Sequence, residues 1–351
     1  MNPCSIFVVV SITIWLGLVS PTSAQAPEEV TLDAVRTRTT IQPDEPAIDA
    51  WITYRLKKLR EDLQVSPSEA DDALLQAYRT QYNHPENSAS FKTRFLEQTS
   101  QRFAAEFEKG QGLEAAVGLA LAQVLADLKE LGAIPGLAAG LKATGQPGVR
   151  YTCAKTFAAL IPTIQADKER TKTTIQLLRE VGAREANGVV LARIYEALFY
   201  KDANLEPAVE AILEVIKGQL RMREQGSPAA DGAEEVALKF LRDEANNLQA
   251  KNRLVAVLAA YLRLDVERYL TQGISADEQY HIEVTTDATE NLLLRSAAPS
   301  PAPNLREAMK KAENRDVTLP LELNKWIGTP QTKGVLNNPP WNVAVGAPIP
   351  E

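Results

Sequence analysis

The chain has 351 residues, of which 45% are hydrophobic and 24% charged, with a formal net charge of -7. Those proportions exclude a wholly disordered chain, and the acidic balance excludes a broad nucleic-acid footprint, which needs a basic face. Aromatic residues make up only 6%, too few for a β-sandwich and suited to helices packed through Ala and Leu.

The chain opens on a targeting pattern. Ile6 to Val19 is an apolar run broken only by Ser11 and Thr13, and Pro21-Thr22-Ser23-Ala24 follows it. A short apolar stretch and then small residues is the layout of a secretory signal peptide, with cleavage expected after Ala24. The run is shorter than the ~20 residues of a spanning helix. An uncleaved anchor is the alternative, because no Lys or Arg precedes the run. Cleavage would remove Cys4 and leave Cys153 alone, so no intrachain disulfide would form. The expected location is therefore export to the periplasm or outside the cell.

Residues 25–46, with Pro27, Pro43 and Pro46, read as a linker. From Ala47, the residues Ile48, Trp51, Ile52, Leu56, Leu59 and Leu63 fall on one helical face. Ser66-Pro67-Ser68-Glu69 has the order of a capping box with Pro at the first helical position, and predicts a second helix to about Tyr82. Phe91, Phe95, Phe103 and Phe107 mark the buried stripe of a third, over residues 88–109. A fourth, from Leu113 to about Glu130, is apolar almost all round and is expected at the centre.

A repeat then emerges. Ala122-x-x-Leu125-x-x-Leu128, Ala154-x-x-Phe157-x-x-Leu160 and Ala192-x-x-Tyr195-x-x-Leu198 share one spacing. Each copy is expected on the second helix of a pair. The middle copy follows Gly145-Gln146-Pro147-Gly148-Val149-Arg150, with a short helix expected over residues 134–143 before it. This unit resembles HEAT-like (armadillo-type) α-helical repeats over about residues 134–200, although Gln146 stands where the family's turn has an acidic residue. The resemblance implies an all-α fold, an irregular HEAT-like α-solenoid or helical bundle over residues 47–272, whose role is to bind other proteins.

Further helices are expected over residues 206–224, 234–249 and 251–270. Residues 273–298 read as an irregular connection, with a short strand at Tyr280–Thr285 and a turn or two of helix at Asn291–Ala297. From Pro299 to the last residue there are nine prolines. This Pro-rich tail is expected to be largely extended, with one short helix over residues 304–313. Trp326 and Trp341, with Leu319, Leu321, Leu323 and Ile327, are its apolar anchors and would pin it to the helical body or dock a partner.

Chemistry-bearing residues are sparse. His84 and His281 have no Cys or carboxylate at ligand spacing. His84 reads as a turn residue and His281 as a surface or core residue. Cys153 lies on an apolar helix face, where nothing would lower its pKa. Asp71-Asp72 and Glu234-Glu235 each begin a helix, where negative charge suits the macrodipole. The basic cluster Lys168, Arg170, Lys172, Arg179 and Arg184 alternates with Glu169, Glu180 and Glu185. That pattern reads as a solvated face or, on the concave side of a solenoid, an anion-binding stripe. No catalytic, cofactor or metal motif stands out. The expected function is an exported scaffold that binds a protein partner, with no nucleic acid, and with membrane contact only if the leader is retained. The alternatives are a helical hydrolase or lyase acting on an extracytoplasmic polymer, or a structural envelope component.

Overall fold

The computed structural model describes residues 30–350, apart from 227–231, 246, 249–250, 272, 298, 300 and 312–313. The leader pattern at residues 6–24 lies outside the described residues. The fold is all-α, and no strand occurs among the described residues.

Residues 30–45, expected as a linker, carry one turn of helix, α1 (Asp33–Arg36), and bury Leu32, Val35 and Ile41. The buried Arg36 holds this segment down: its guanidinium donates to Asp33, Asn87 and Gln81. Next come α2 (Pro46–Val65), α3 (Pro67–Tyr82) and α4 (Ala89–Phe107). Pro67 occupies the first turn of α3 as expected, but the Ser66 side chain makes no capping bond. Ser88 does cap α4, accepting from the Phe91 amide at 3.0 Å. The four-residue spacing of the phenylalanines is fully cashed in burial: Phe91, Phe95, Phe103 and Phe107 are all within the core. Two of them, Phe95 and Phe103, pack against Tyr78 at tilted and edge-on angles, and Phe95 also meets Trp51.

The chain continues through α5 (Ala115–Leu128), α6 (Ile134–Leu141), α7 (Pro147–Ile164), α8 (Lys168–Gly182), α9 (Gly188–Glu196) and α10 (Leu205–Glu224). Then follow α11 (Glu234–Glu244), α12 (Lys251–Tyr269), α13 (Ala276–Ala297), α14 (Leu305–Lys310) and α15 (Arg315–Ile327). Packing runs in two rows. One joins α3, α5, α7, α9, α11 and α13 in turn; the other joins α2, α4 and α6, and then α8, α10 and α12. The three copies of the sequence repeat fall on α5, α7 and α9, consecutive members of one row. Their Leu125, Phe157 and Tyr195 are fully buried between neighbours.

Polar contacts tie each pair to the next at the turns. Gln146 Nε2 donates to the Leu113 carbonyl at 2.8 Å. Arg150 makes a bidentate pair with Glu185 at 2.7 and 3.0 Å. Gln219 Nε2 donates to the carbonyls of Gly182 and Glu185 at 2.9 and 3.0 Å. Each contact gives a buried or largely shielded side chain a hydrogen-bond partner on a neighbouring turn.

Two expectations fail in the C-terminal third. Tyr280–Thr285 is not a strand but part of α13, and Asn291–Ala297 is the end of that same helix. Tyr280, Ile282 and Val284 alternate as a strand would, yet the buried residues Ile282, Thr285, Thr286, Thr289, Leu292 and Leu293 follow helical spacing. Thr289 donates to the Thr285 carbonyl at 2.7 Å, so the helix satisfies the hydroxyl that would otherwise compete with it. The Pro-rich tail carries two α-helices, not one, and after Ile327 it runs through bends, turns and a 3-10 turn at Val335–Asn337, with left-handed backbone at Asn342 and Ala347, so it is not largely extended. α15 tolerates Pro320 in its interior. Trp326 is fully buried and Trp341 half-buried against the core, so the first ring does pin the tail to the helical body.

Candidate binding groove

α8 is capped by Asp167, whose carboxylate accepts from the Arg170 amide at 3.1 Å. Thr171, Thr174, Ile175 and Leu178 bury one side of it. The adjoining face carries Lys168, Lys172, Gln176 and Arg179, all exposed. Their spacing puts the three cations on one stripe that faces the first half of α10. Near the C-terminal ends the two helices touch. A Cβ on Gly218 would lie 2.5 Å from the Ala183 carbonyl oxygen, and one on Gly182 would lie 3.0 Å from Val215. Only glycine permits that approach. Gln219 locks the same end through its two bonds to the α8–α9 turn.

Towards the N-terminal halves the helices part around an open groove of about 750 Å³. Its apolar lining is Ile175 and Ala211, both buried, with Ala203 and Pro207 at the edge. Lys168, Lys172 and Arg179 form one wall, with Glu169 among them. Glu210 and Glu214 of α10 form the other. The two walls differ in state. Glu210 and Glu214 are both held by Arg253 of α12, and Glu214 also accepts from Lys217 at 2.9 Å. Among the described residues, Lys168, Lys172 and Arg179 make no ion pair within 4.0 Å. The acidic wall is neutralised internally and the basic wall is not.

The basic cluster read from the sequence is therefore divided. Three of its members share the groove. Arg170 turns to Asp167 at 3.9 Å. Arg184 lines a neighbouring groove of about 690 Å³ with Glu180, between the end of α6 and the end of α8. Glu185 is buried under Arg150 and belongs to the turn contacts, not to a solvated face.

The remaining candidates stand apart from the groove. His84 accepts from the Glu86 amide at 3.3 Å in the turn before α4, as a turn residue does. His281 is exposed on α13. Cys153 is fully buried, and that burial pushes its thiol far above the ordinary range. A Cβ on Gly140 would come within 2.6 Å of its sulfur, so the thiol is enclosed by α6. Asp71 lies half-buried at the start of α3, its carboxyl pushed up by burial and by neighbouring Asp72.

Glu234 departs from the sequence reading. It does begin α11, but it is completely buried and pairs with Arg223 at 3.1 Å. Arg223 also reaches Asp265 at 3.3 Å, and Thr285 donates to that carboxylate at 2.8 Å. Burial pushes Asp265 up to about 7, against the opposing pull of Arg223. This network joins α10, α11, α12 and α13. Its members lie far apart in sequence and each sits beside ordinary surface charges, so only the Arg223–Asp265 approach in three dimensions reveals it. Among the described residues no group of three or more His, Cys, Asp or Glu is placed to hold a metal ion.

Comparison with family models, curated proteins and solved structures gave no match. The groove has to be read from its own chemistry. An open apolar floor between charged walls suits a strip of polypeptide, whose backbone and side chains can meet both.

Proposed function

We propose that this chain is an exported, HEAT-like helical scaffold that binds a segment of another protein in the α8–α10 groove. One observation carries the reading: Lys168, Lys172 and Arg179 stand without ion pairs along an open, apolar-floored groove, in a chain whose net charge is -7. Unneutralised cations aligned along a groove favour a partner that brings the opposite charge. The HEAT-like reading is supported by the recurrence of one motif on α5, α7 and α9 with turn-to-turn polar contacts between them. Export is supported by the sequence pattern of residues 6–24.

The test is a photo-cross-linking amino acid at Gln176, which lies in the groove between Lys172 and Arg179. In the extracytoplasmic fraction of the native cell it should give a discrete adduct with a protein. That adduct should disappear in the K168E/K172E/R179E variant. No adduct, or an adduct indifferent to the three charges, overturns the reading. Turnover of a polysaccharide by the purified chain would replace it with an enzyme. N-terminal sequencing of the secreted form should begin at Gln25, and an intact Met1 on a membrane-bound species would overturn cleavage and soluble export.

A further inference from the structure

We infer that the occupant of the α8–α10 groove is an extended, acidic segment of the partner protein. This rests on the proposed scaffold reading and specifies its ligand. Three independent features of the face lead to it.

The first is spacing. Lys168, Lys172 and Arg179 stand at i, i+4 and i+11 of α8, so they climb about 16 Å along the helix at 1.5 Å per residue. About five residues of extended chain cover that length at 3.3 Å each. The second is the asymmetry of the walls. Glu210 and Glu214 are already engaged by Arg253 and Lys217, so the charge left to be met is positive.

The third is what the same face already holds. Glu210, Glu214, Lys217 and Arg221 form one stripe along α10. Beyond the groove, Arg221 reaches the Pro350 carbonyl at 3.5 Å. On α12, Asn252 and Arg263 donate to the carbonyls of Pro340 and Ala347 at 3.3 and 3.2 Å. The chain's own Pro-rich segment thus lies across α10 and α12, with no helix of its own after Asn337. It is held by side chains donating to its backbone carbonyls. The surface holds a non-helical run of polypeptide there, with turns at 339–341 and 345–346, and the groove continues that surface one helix further with a basic wall added. A nucleic acid would call for a broad basic face, which a chain of net charge -7 does not suit.

The test uses the purified full-length chain and a fluorescein-labelled peptide of alternating Glu and Pro, about eight residues long, read by fluorescence anisotropy. A Lys-Pro peptide, a single-stranded oligothymidine and phosphatidylglycerol vesicles serve as competing probes. The acidic peptide should bind saturably. Binding should fall at least about tenfold in K168Q/K172Q/R179Q, and also on raising NaCl from about 0.05 to about 0.5 M. All three side chains are exposed, so the variant should keep its far-ultraviolet circular dichroism. No binding of the acidic peptide, equal binding by the variant, or tighter binding of oligothymidine or vesicles overturns the inference. The two proposals fail separately. A Gln176 adduct that persists under excess acidic peptide overturns the acidic-segment inference and leaves the scaffold reading standing. Peptide binding without any native adduct overturns the scaffold reading and leaves standing only the groove's preference for an acidic chain.

Discussion

At the scale of single residues, the most demanding position is Arg223. Its side chain is 9% exposed and faces two carboxylates, Glu234 and Asp265, that are 0% and 3% exposed. Removing one partner of a buried ionic group costs more than the group contributes, because the others are left buried without compensation. Arg223→Ala should therefore destabilise the chain by about 3–5 kcal/mol in urea denaturation. Asp265 adds a pH dependence with a definite sign. Its folded pKa is raised from the ordinary 3.8 to about 7, so between those values the folded state keeps a proton that the unfolded state has released. Stability from this group is fully present below about pH 4 and declines as pH rises to about 7, by at most about 1.4 kcal/mol per unit. Asp265→Asn should remove that slope from denaturation midpoints measured between those pH values. A slope unchanged in the variant would assign the dependence to another group.

At the scale of elements, the two α-helices of the tail share one buried carboxylate. Glu290 of α13 accepts from the Trp326 indole at 2.9 Å and from the Leu305 amide at 2.9 Å, so it grips α15 and the start of α14 together. Burial raises its pKa against those hydrogen bonds. Glu290→Ala should release both helices. Limited proteolysis should then cut the chain between residues 299 and 327 while the earlier helices resist, and Trp326 emission should shift to the red. Much of the element order was legible beforehand, because α2, α4, α5 and α10 carry long apolar stripes with clear ends. α15 was not, because Pro320 in its interior argues against a helix, and its stability comes from the seating of Trp326. α13 was misread in part because threonines serve both periods. The groove was half legible. The cations of α8 were visible as a cluster, but α8 and α10 are brought together by Gly182 and Gly218, and no local pattern pairs those two glycines. Gly218→Ala should force its Cβ against the Ala183 carbonyl and cost about 1–3 kcal/mol. It should also weaken cross-linking from Gln176, since the groove's closed end would be prised open.

At the scale of the whole molecule, each helix packs mainly on neighbours within and across the two rows, so cohesion passes from pair to pair along one continuous apolar cluster that runs from Leu32 to Ala347. In such an array stability is a sum of local units and the interfaces between them. The Arg150–Glu185 pair is the strongest polar link between the α6–α7 and α8–α9 pairs, bidentate and largely shielded, with side chains 16% and 3% exposed. Glu185 also accepts from the Asn187 amide at 2.9 Å, which shapes the turn into α9. Glu185→Ala strips a partner from Arg150 and from that turn at once. It should cost about 3 kcal/mol, concentrated at one interface instead of spread through the chain. Hydrogen exchange is the measurement that separates these outcomes. Amides of α7, α8 and α9 should lose protection in the variant, while those of α2, α3 and α4 and of α12 and α13 keep theirs. Denaturation should split into more than one transition. An equal loss of protection in every helix would mean that the rows unfold as one cooperative body, and the description of the chain as a stack of separable helical pairs would fall.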